Sequence, residues 1–112
     1  MQMTAARWMC LCSETIAPLS LARCYPIGVI AMRDREKLDE KIIAIPFEDP
    51  VYNGYHDISE LPSHIFSEIR HFFTVYKSLE GKETVVDEEQ GPEEARAIIQ
   101  KCLDAYIDRF CR

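Results

Sequence analysis

Apolar positions recur along this chain in two different rhythms. Ile27 to Met32 (IGVIAM) is a short apolar run that reads as a buried strand, with Pro26 at its mouth, where a missing N–H is tolerated. Residues 33–40 form a charged connection, and Lys41 to Ile45 is a second strand rich in β-branched residues, ended by Pro46. This pattern predicts a hairpin with a long loop. The rhythm then changes. Ile65, Ile69, Phe72 and Tyr76 recur at helical intervals, and Phe66 with Phe73 widens the stripe, which predicts a helix from Ser63 to Ser78. Gly81 stands where a terminator is expected, and Thr84-Val85-Val86 predicts a short strand. Gly91-Pro92 opens a last helix, with Glu93 and Glu94 at the positive end of its dipole. Its apolar face is Ala95, Ile98, Ile99, Cys102, Leu103, Tyr106 and Phe110.

Between hairpin and first helix, residues 47–62 hold two prolines and Asn53-Gly54, so they turn over the surface. Asp57-Ile58-Ser59-Glu60 has the spacing of a capping box. Residues 1–23 show no clear period and are expected to form a divergent, disordered leader. The regular order is therefore strand, strand, helix, short strand, helix. Two long strands make no stable sheet by themselves in water, so this sheet is expected to need more strands than the pattern supplies.

Composition narrows the partners more than the fold. The 112 residues are 47% hydrophobic and 29% charged, ordinary for one small globular domain. Thirteen Lys+Arg against nineteen Asp+Glu give a net charge of -6, which disfavours nucleic acid and anionic membranes and suits a protein that collects divalent cations. No apolar run reaches the roughly 18 residues of a membrane span. Five cysteines, an odd number widely spread, read as reduced cytosolic thiols rather than a disulfide framework. Cys10 and Cys12 lack the second Cys/His pair of a zinc finger. Arg7, Arg23 and several Ser, Thr and Ala residues in the first 23 also have the flavour of an organelle transit segment.

Two clusters carry candidate chemistry. Asp34 and Asp39 lie in the connection between paired strands, and such carboxylates offer hard oxygen ligands to Mg²⁺; Lys41, at the start of the return strand, places a point charge where a phosphate could be met. The plainer alternative is a solvated charged turn. Tyr76-Lys77, ending the Phe-rich helix, offers one neutral and one charged donor to a phosphoryl oxygen. The alternative there is a tyrosine completing the apolar stripe and a lysine complementing the dipole. His56, His64 and His71 form no ligand pattern, and no phosphate-cradling glycine loop is present.

Taken in order, CYPIGVIAM, then D-x4-D-x-K running into IIAIP, then EDPVYNGYHDISELP, then EIRHFFTVYKSLEGK, resembles the C-terminal half of family I soluble inorganic pyrophosphatases of the plant cytosolic type. The resemblance covers residues 24–112. It implies an α+β fold, mainly β in the parent family: part of an OB-like five-stranded barrel with two C-terminal helices packed on it. It implies Mg²⁺-dependent hydrolysis of inorganic pyrophosphate to two phosphates, with Asp34 and Asp39 binding magnesium and Lys41, Tyr76 and Lys77 binding phosphate. Partners are then pyrophosphate and phosphate, with no nucleic acid or membrane, and either copies of this chain or a full-length pyrophosphatase.

The departures from the family pattern shape the expectation of activity. The Asp-x-Asp-Pro-x-Asp cluster, which in the family supplies metal ligands and the base orienting the attacking water, is absent from these 112 residues, so no catalytic base is assigned. The family's Asp-x-Gly-Glu-x-Asp-x-Lys has become Asp34-Arg35-Glu36-Lys37-Leu38-Asp39-Glu40-Lys41, which removes the glycine's easy access to positive φ. The chain is expected to be a truncated form, weakly active or inactive alone. The alternative is a non-catalytic form that binds Mg²⁺ and phosphate weakly or associates with a full-length pyrophosphatase. Its compartment is expected to be the cytoplasm, or a plastid or mitochondrion if residues 1–23 act as a targeting segment.

Overall fold

A computed structural model describes residues 6–13, 16–34, 37–79, 81, 84–86 and 88–111; the side chains of Ala6, Arg7, Asp34, Lys37, Lys77 and Thr84 are outside that description. The elements run β1 (Ala6–Cys10), β2 (Cys24–Asp34), β3 (Lys37–Pro46), a single 3-10 turn (Ile58–Glu60), α1 (Ser63–Leu79), β4 (Thr84–Val86) and α2 (Pro92–Phe110). Four strands form one mixed sheet in the order β1-β3-β2-β4, curled as a half-barrel. The α+β class expected from the sequence is the one observed.

Two differences from the sequence pattern matter. The long hairpin loop is not there. Arg33 pairs with Leu38 and Asp34 with Lys37, so the charged stretch continues the ladder and only two residues separate the strands. Charged residues are tolerated in these rows because the strand pair needs backbone partners whatever its side chains are, and short connections suit antiparallel neighbours. The expected effect of losing the family glycine falls on residues 35–36, outside the described ones. The second difference is β1: Ala6–Cys10, within the expected disordered leader, pairs parallel to β3 from Ala6↔Glu40 to Cys10↔Ala44.

The two sheet faces are filled by different elements. Opposed residues of paired strands point to one side, so Ile30 and Met32 of β2 share a face with Ile43 and Ile45 of β3. That face packs against Ile58, Leu61, Ile69 and Phe73, which come from the 3-10 turn and α1. The other face joins Val29 and Ile42 to Ala95 of α2, with Ile98 and Ile99 against them. Each fully buried isoleucine contributes about 2 kcal/mol of apolar burial, and Ile27, Ile30, Ile42, Ile43, Ile45 and Ile58 are all sealed.

A bulge and a glycine make β2 fit both layers. Pro26 pairs with Ala44 but Gly28 with Ile43, so Ile27 is the extra residue and joins Ile30 on the α1 face despite a spacing of three. Pro26 is accommodated beside this bulge. On its other edge, Gly28 is met by the Val29–Gln90 bridge and by Ile58. A Cβ there would lie 2.6 Å from the Gln90 carbonyl oxygen and 2.7 Å from the Ile58 Cβ, so only glycine permits the approach.

The expected capping box forms. Asp57 accepts from the Ser59 N–H at 3.0 Å while Glu60 accepts from the Asp57 N–H at 2.9 Å. It caps the 3-10 turn rather than α1, and so delivers Ile58 and Leu61 into the core. On α1 the inward stripe is Ile65, Phe66, Ile69 and Phe73; Phe72 and Tyr76, assigned to it from periodicity, stack on each other at 5.9 Å and stay about half exposed. The stripe narrows because four strands offer α1 a limited surface.

Candidate functional site

The spacing D-x4-D-x-K acquires meaning from the hairpin. Along one strand, residues five apart would face opposite ways. Here the chain reverses between Asp34 and Lys37, which are direct partners, so by backbone register positions 34, 39 and 41 all belong to one face. It is the α1-facing side, continuous with Met32, Ile30 and Ile43. Asp39 and Lys41, at i and i+2 on β3, meet directly: Lys41 Nζ lies 2.9 Å from Asp39 Oδ2. The lysine side chain is only 9% exposed and the aspartate 23%. This is a sheltered ammonium beside a carboxylate that solvent still reaches.

The second candidate pair is less closely drawn in. Tyr76 lies on the last turns of α1, 49% exposed, and its described ring contact is to Phe72 rather than to the Asp39–Lys41 pair. Lys77 follows it on the helix, its side chain outside the description. Among the described residues, no group of three or more His, Cys, Asp or Glu is gathered as a metal site. That includes Cys10 and Cys12, the half zinc site of the sequence.

One buried polar residue went unnoticed in the sequence. Asp49 is 6% exposed and holds two separate segments. Its Oδ2 accepts from the Ser13 N–H at 2.7 Å and the Ser13 hydroxyl at 3.0 Å, and its Oδ1 from the Val51 and Tyr52 N–H groups at 3.0 and 2.9 Å. Burial opposes its ionisation, but these donors outweigh it and hold the carboxyl below its ordinary value. The only local signal was Glu48-Asp49-Pro50, which reads as a turn; the Ser13 partner lies 36 residues away. An open cavity of about 610 Å³ lies near this end of β3, lined by Ile16, Leu21, Arg23 and Phe47 among others, away from the Asp39–Lys41 pair at the hairpin end.

A curled half-barrel carrying an acid–lysine pair inside its hairpin belongs to a known class. A family model described as inorganic pyrophosphatase matches residues 8–107, and the chain belongs to that family. The match begins upstream of residue 24 and takes in most of β1. Among curated relatives, a soluble inorganic pyrophosphatase 2 of Chlamydomonas reinhardtii is 42% identical over 100 residues, 89% of this chain and 52% of that protein. Soluble inorganic pyrophosphatase 1 of Arabidopsis thaliana is 42% identical over 95 residues, 85% of this chain and 45% of its own length. The chain thus spans about half the length of the curated relatives it matches. Among solved structures, the inorganic pyrophosphatase of Helicobacter pylori superposes with a TM-score of 0.82 at 32% identity, over 88% of this chain and 60% of that one.

Proposed function

We propose that this chain carries the metal- and phosphate-binding part of an inorganic diphosphatase site, whose reaction is Mg²⁺-dependent hydrolysis of pyrophosphate to two phosphates. The observation that carries the reading is the Asp39–Lys41 contact on the core-facing side of the hairpin, within the residues that match the family. The donor chemistry fits. Asp39 and Asp34 offer hard carboxylate oxygens of the kind Mg²⁺ prefers and are the residues that would hold it. The bound metal would supply charge neutralisation and an acidified water. Lys41 gives a phosphate oxygen a sheltered positive charge, worth more at low exposure than in bulk water. Tyr76 and Lys77 add a neutral and a charged donor at the end of α1.

Binding and turnover are expected to separate. The 112 residues contain no Asp-x-Asp-Pro-x-Asp run, and two carboxylates do not assemble the several metals that charge-dense pyrophosphate demands. Titration calorimetry of the purified chain with pyrophosphate should show binding that requires Mg²⁺, weakened about tenfold in Lys41→Ala, or about 1.4 kcal/mol. Phosphate release should stay close to the Mg²⁺-buffer background. Absence of any Mg²⁺-dependent binding would overturn the assignment of the site, whereas family-like turnover would overturn only the expected inactivity.

A second reading has its own support. Large apolar side chains remain exposed on both helices, among them Leu79, Tyr106, Ile107 and Phe110. A non-catalytic chain that associates with copies of itself or with a full-length pyrophosphatase would use such a surface. Size-exclusion with and without a full-length relative separates the two readings. Among the described residues no helix is long and apolar enough to cross a membrane. The five cysteines are free thiols, and a cytoplasmic setting would keep them so.

A further inference from the structure

The strand order brings together two cysteines that the sequence holds apart. Cys10 ends β1 and Cys24 begins β2, and β3 runs between them. Cys10 pairs with Ala44 and Cys24 with Pro46, two residues along, so both belong to the sheet face that carries Ile42 and Ala44. At position 44 only a methyl group rises from the strand that separates them. The two sulfurs meet at 3.4 Å, at the exposed end of the sheet. A disulfide bond is about 2.05 Å long and needs Cα atoms within about 7 Å, less than two strand spacings, so bonding requires the end of β1 and the start of β2 to be drawn together over Ala44 as the sulfurs close the remaining gap. Cys12 is nearer to Cys10 in sequence, yet the sulfur contact is with Cys24.

We propose that Cys10 and Cys24 form an oxidation site that takes a small peroxide as oxidant and closes to an intramolecular disulfide linking β1 to β2. In the reduced protein, burial first and then the hydrogen bond and charge of Cys24 push the Cys10 thiol up to about 11. Cys10 therefore keeps its proton at neutral pH, and the thiolate is the nucleophile in such chemistry. Either sulfur leads to the same product; with Cys24 attacking first the atoms balance in two steps. The Cys24 sulfur forms an S–O bond as the peroxide O–O bond breaks, leaving a sulfenic acid and one water. The Cys10 sulfur then forms the S–S bond as that S–O bond breaks, and its proton leaves in a second water. Two thiols lose two electrons and hydrogen peroxide becomes two waters.

The product would close a covalent loop between β1 and β2. Residues 11–23 connect the strands, and Ser13, clamped by Asp49, lies inside the loop that the disulfide would close. Closing a loop of this size restrains the unfolded chain and raises thermal stability.

The test uses the full chain with Cys12, Cys102 and Cys111 replaced by serine, so that only the pair remains. A few equivalents of hydrogen peroxide at neutral pH should remove both titratable thiols, lower the intact mass by two hydrogens and form no disulfide between chains. Non-reducing peptide mapping of the untouched sequence should link Cys10 to Cys24. The melting temperature should rise by on the order of 10 °C and fall back with dithiothreitol. Cys10→Ser should accumulate a dimedone-trappable sulfenic acid on Cys24, and neither Cys10→Ser nor Cys24→Ser should form the intramolecular link. Two surviving thiols, a Cys10–Cys12 link or an intermolecular disulfide would each overturn the proposal.

Discussion

At the residue scale, the Asp39–Lys41 pair is a packing problem before it is a site. Lys41 is almost sealed, and its ammonium is tolerated because Asp39 faces it at 2.9 Å. Removing one partner of a buried pair leaves an uncompensated charge, whereas removing the cation leaves a carboxylate that still reaches water. Asp39→Asn should therefore cost about 2–4 kcal/mol of unfolding free energy. Lys41→Met, similar in length and apolar, should cost less than about 1.5 kcal/mol. Urea unfolding followed by circular dichroism compares them; equal losses would mean that the ammonium's desolvation is not what sets the cost. Gly28→Ala tests a different contact. Its Cβ would collide with the Gln90 carbonyl and Ile58, so the Val29–Gln90 bridge and the seat of the 3-10 turn must both give way. We expect a loss above about 2 kcal/mol, far more than glycine-to-alanine changes in open strands. Thermal melts will show it. The identity of the charged residues was legible in D-x4-D-x-K, but Gly28 was not. Nothing in IGVIAM announces a clash whose other partners lie at positions 58 and 90.

At the scale of elements, local rhythm was a good guide wherever a segment's partners lie near it or its period is long. The helix expected over Ser63 to Ser78 is observed as Ser63–Leu79, and the last helix starts at Pro92 as expected. The strand at Thr84-Val85-Val86 is present. Failure came where long-range pairing decides. β1 is five residues of ARWMC with no alternation to read, and its reason to be a strand is a parallel partner more than thirty residues later. The hairpin was read as too long because charge marked residues 33–40 as loop, while the ladder carries Arg33 and Leu38 as partners. The Ser13–Asp49 clamp holds the β1 end of this arrangement in place. Because the Asp49 carboxyl is held below its ordinary value, its contribution to stability is present above the unfolded-state value near ~3.9 and lost as pH falls through the lower folded one. Wild-type urea midpoints should thus fall steeply as pH drops below about 4. Asp49→Asn should be less stable at pH 7 yet show a flatter acid limb. Parallel acid limbs would remove Asp49 from the explanation.

For the molecule as a whole, the question is what the uncovered apolar surface does in solution. Phe73 and Ile69 fix α1 to one sheet face and Ala95 fixes α2 to the other, but each helix extends past the sheet it packs on. Leu79 is 83% exposed at the end of α1, and Leu103, Tyr106, Ile107 and Phe110 line the far half of α2. Exposed apolar surface promotes association, and a net charge of -6 opposes it. The balance should shift with ionic strength, since repulsion between exposed charges is screened over about 10 Å at 0.1 M salt while apolar contact is not. We expect the purified chain to grow in apparent mass with concentration, and more so as salt is raised, in size-exclusion with light scattering. Leu79→Lys and Ile107→Lys together should reduce that growth. Both sit in the last turns of their helices, where a cation complements the dipole, and both are too exposed for their loss to open a cavity. Their combined effect on unfolding free energy should stay within about 1 kcal/mol. Association that persists unchanged in the folded double variant would place the contact elsewhere on the molecule. An association that weakened as salt rose would identify charge, not the exposed helix faces, as its cause.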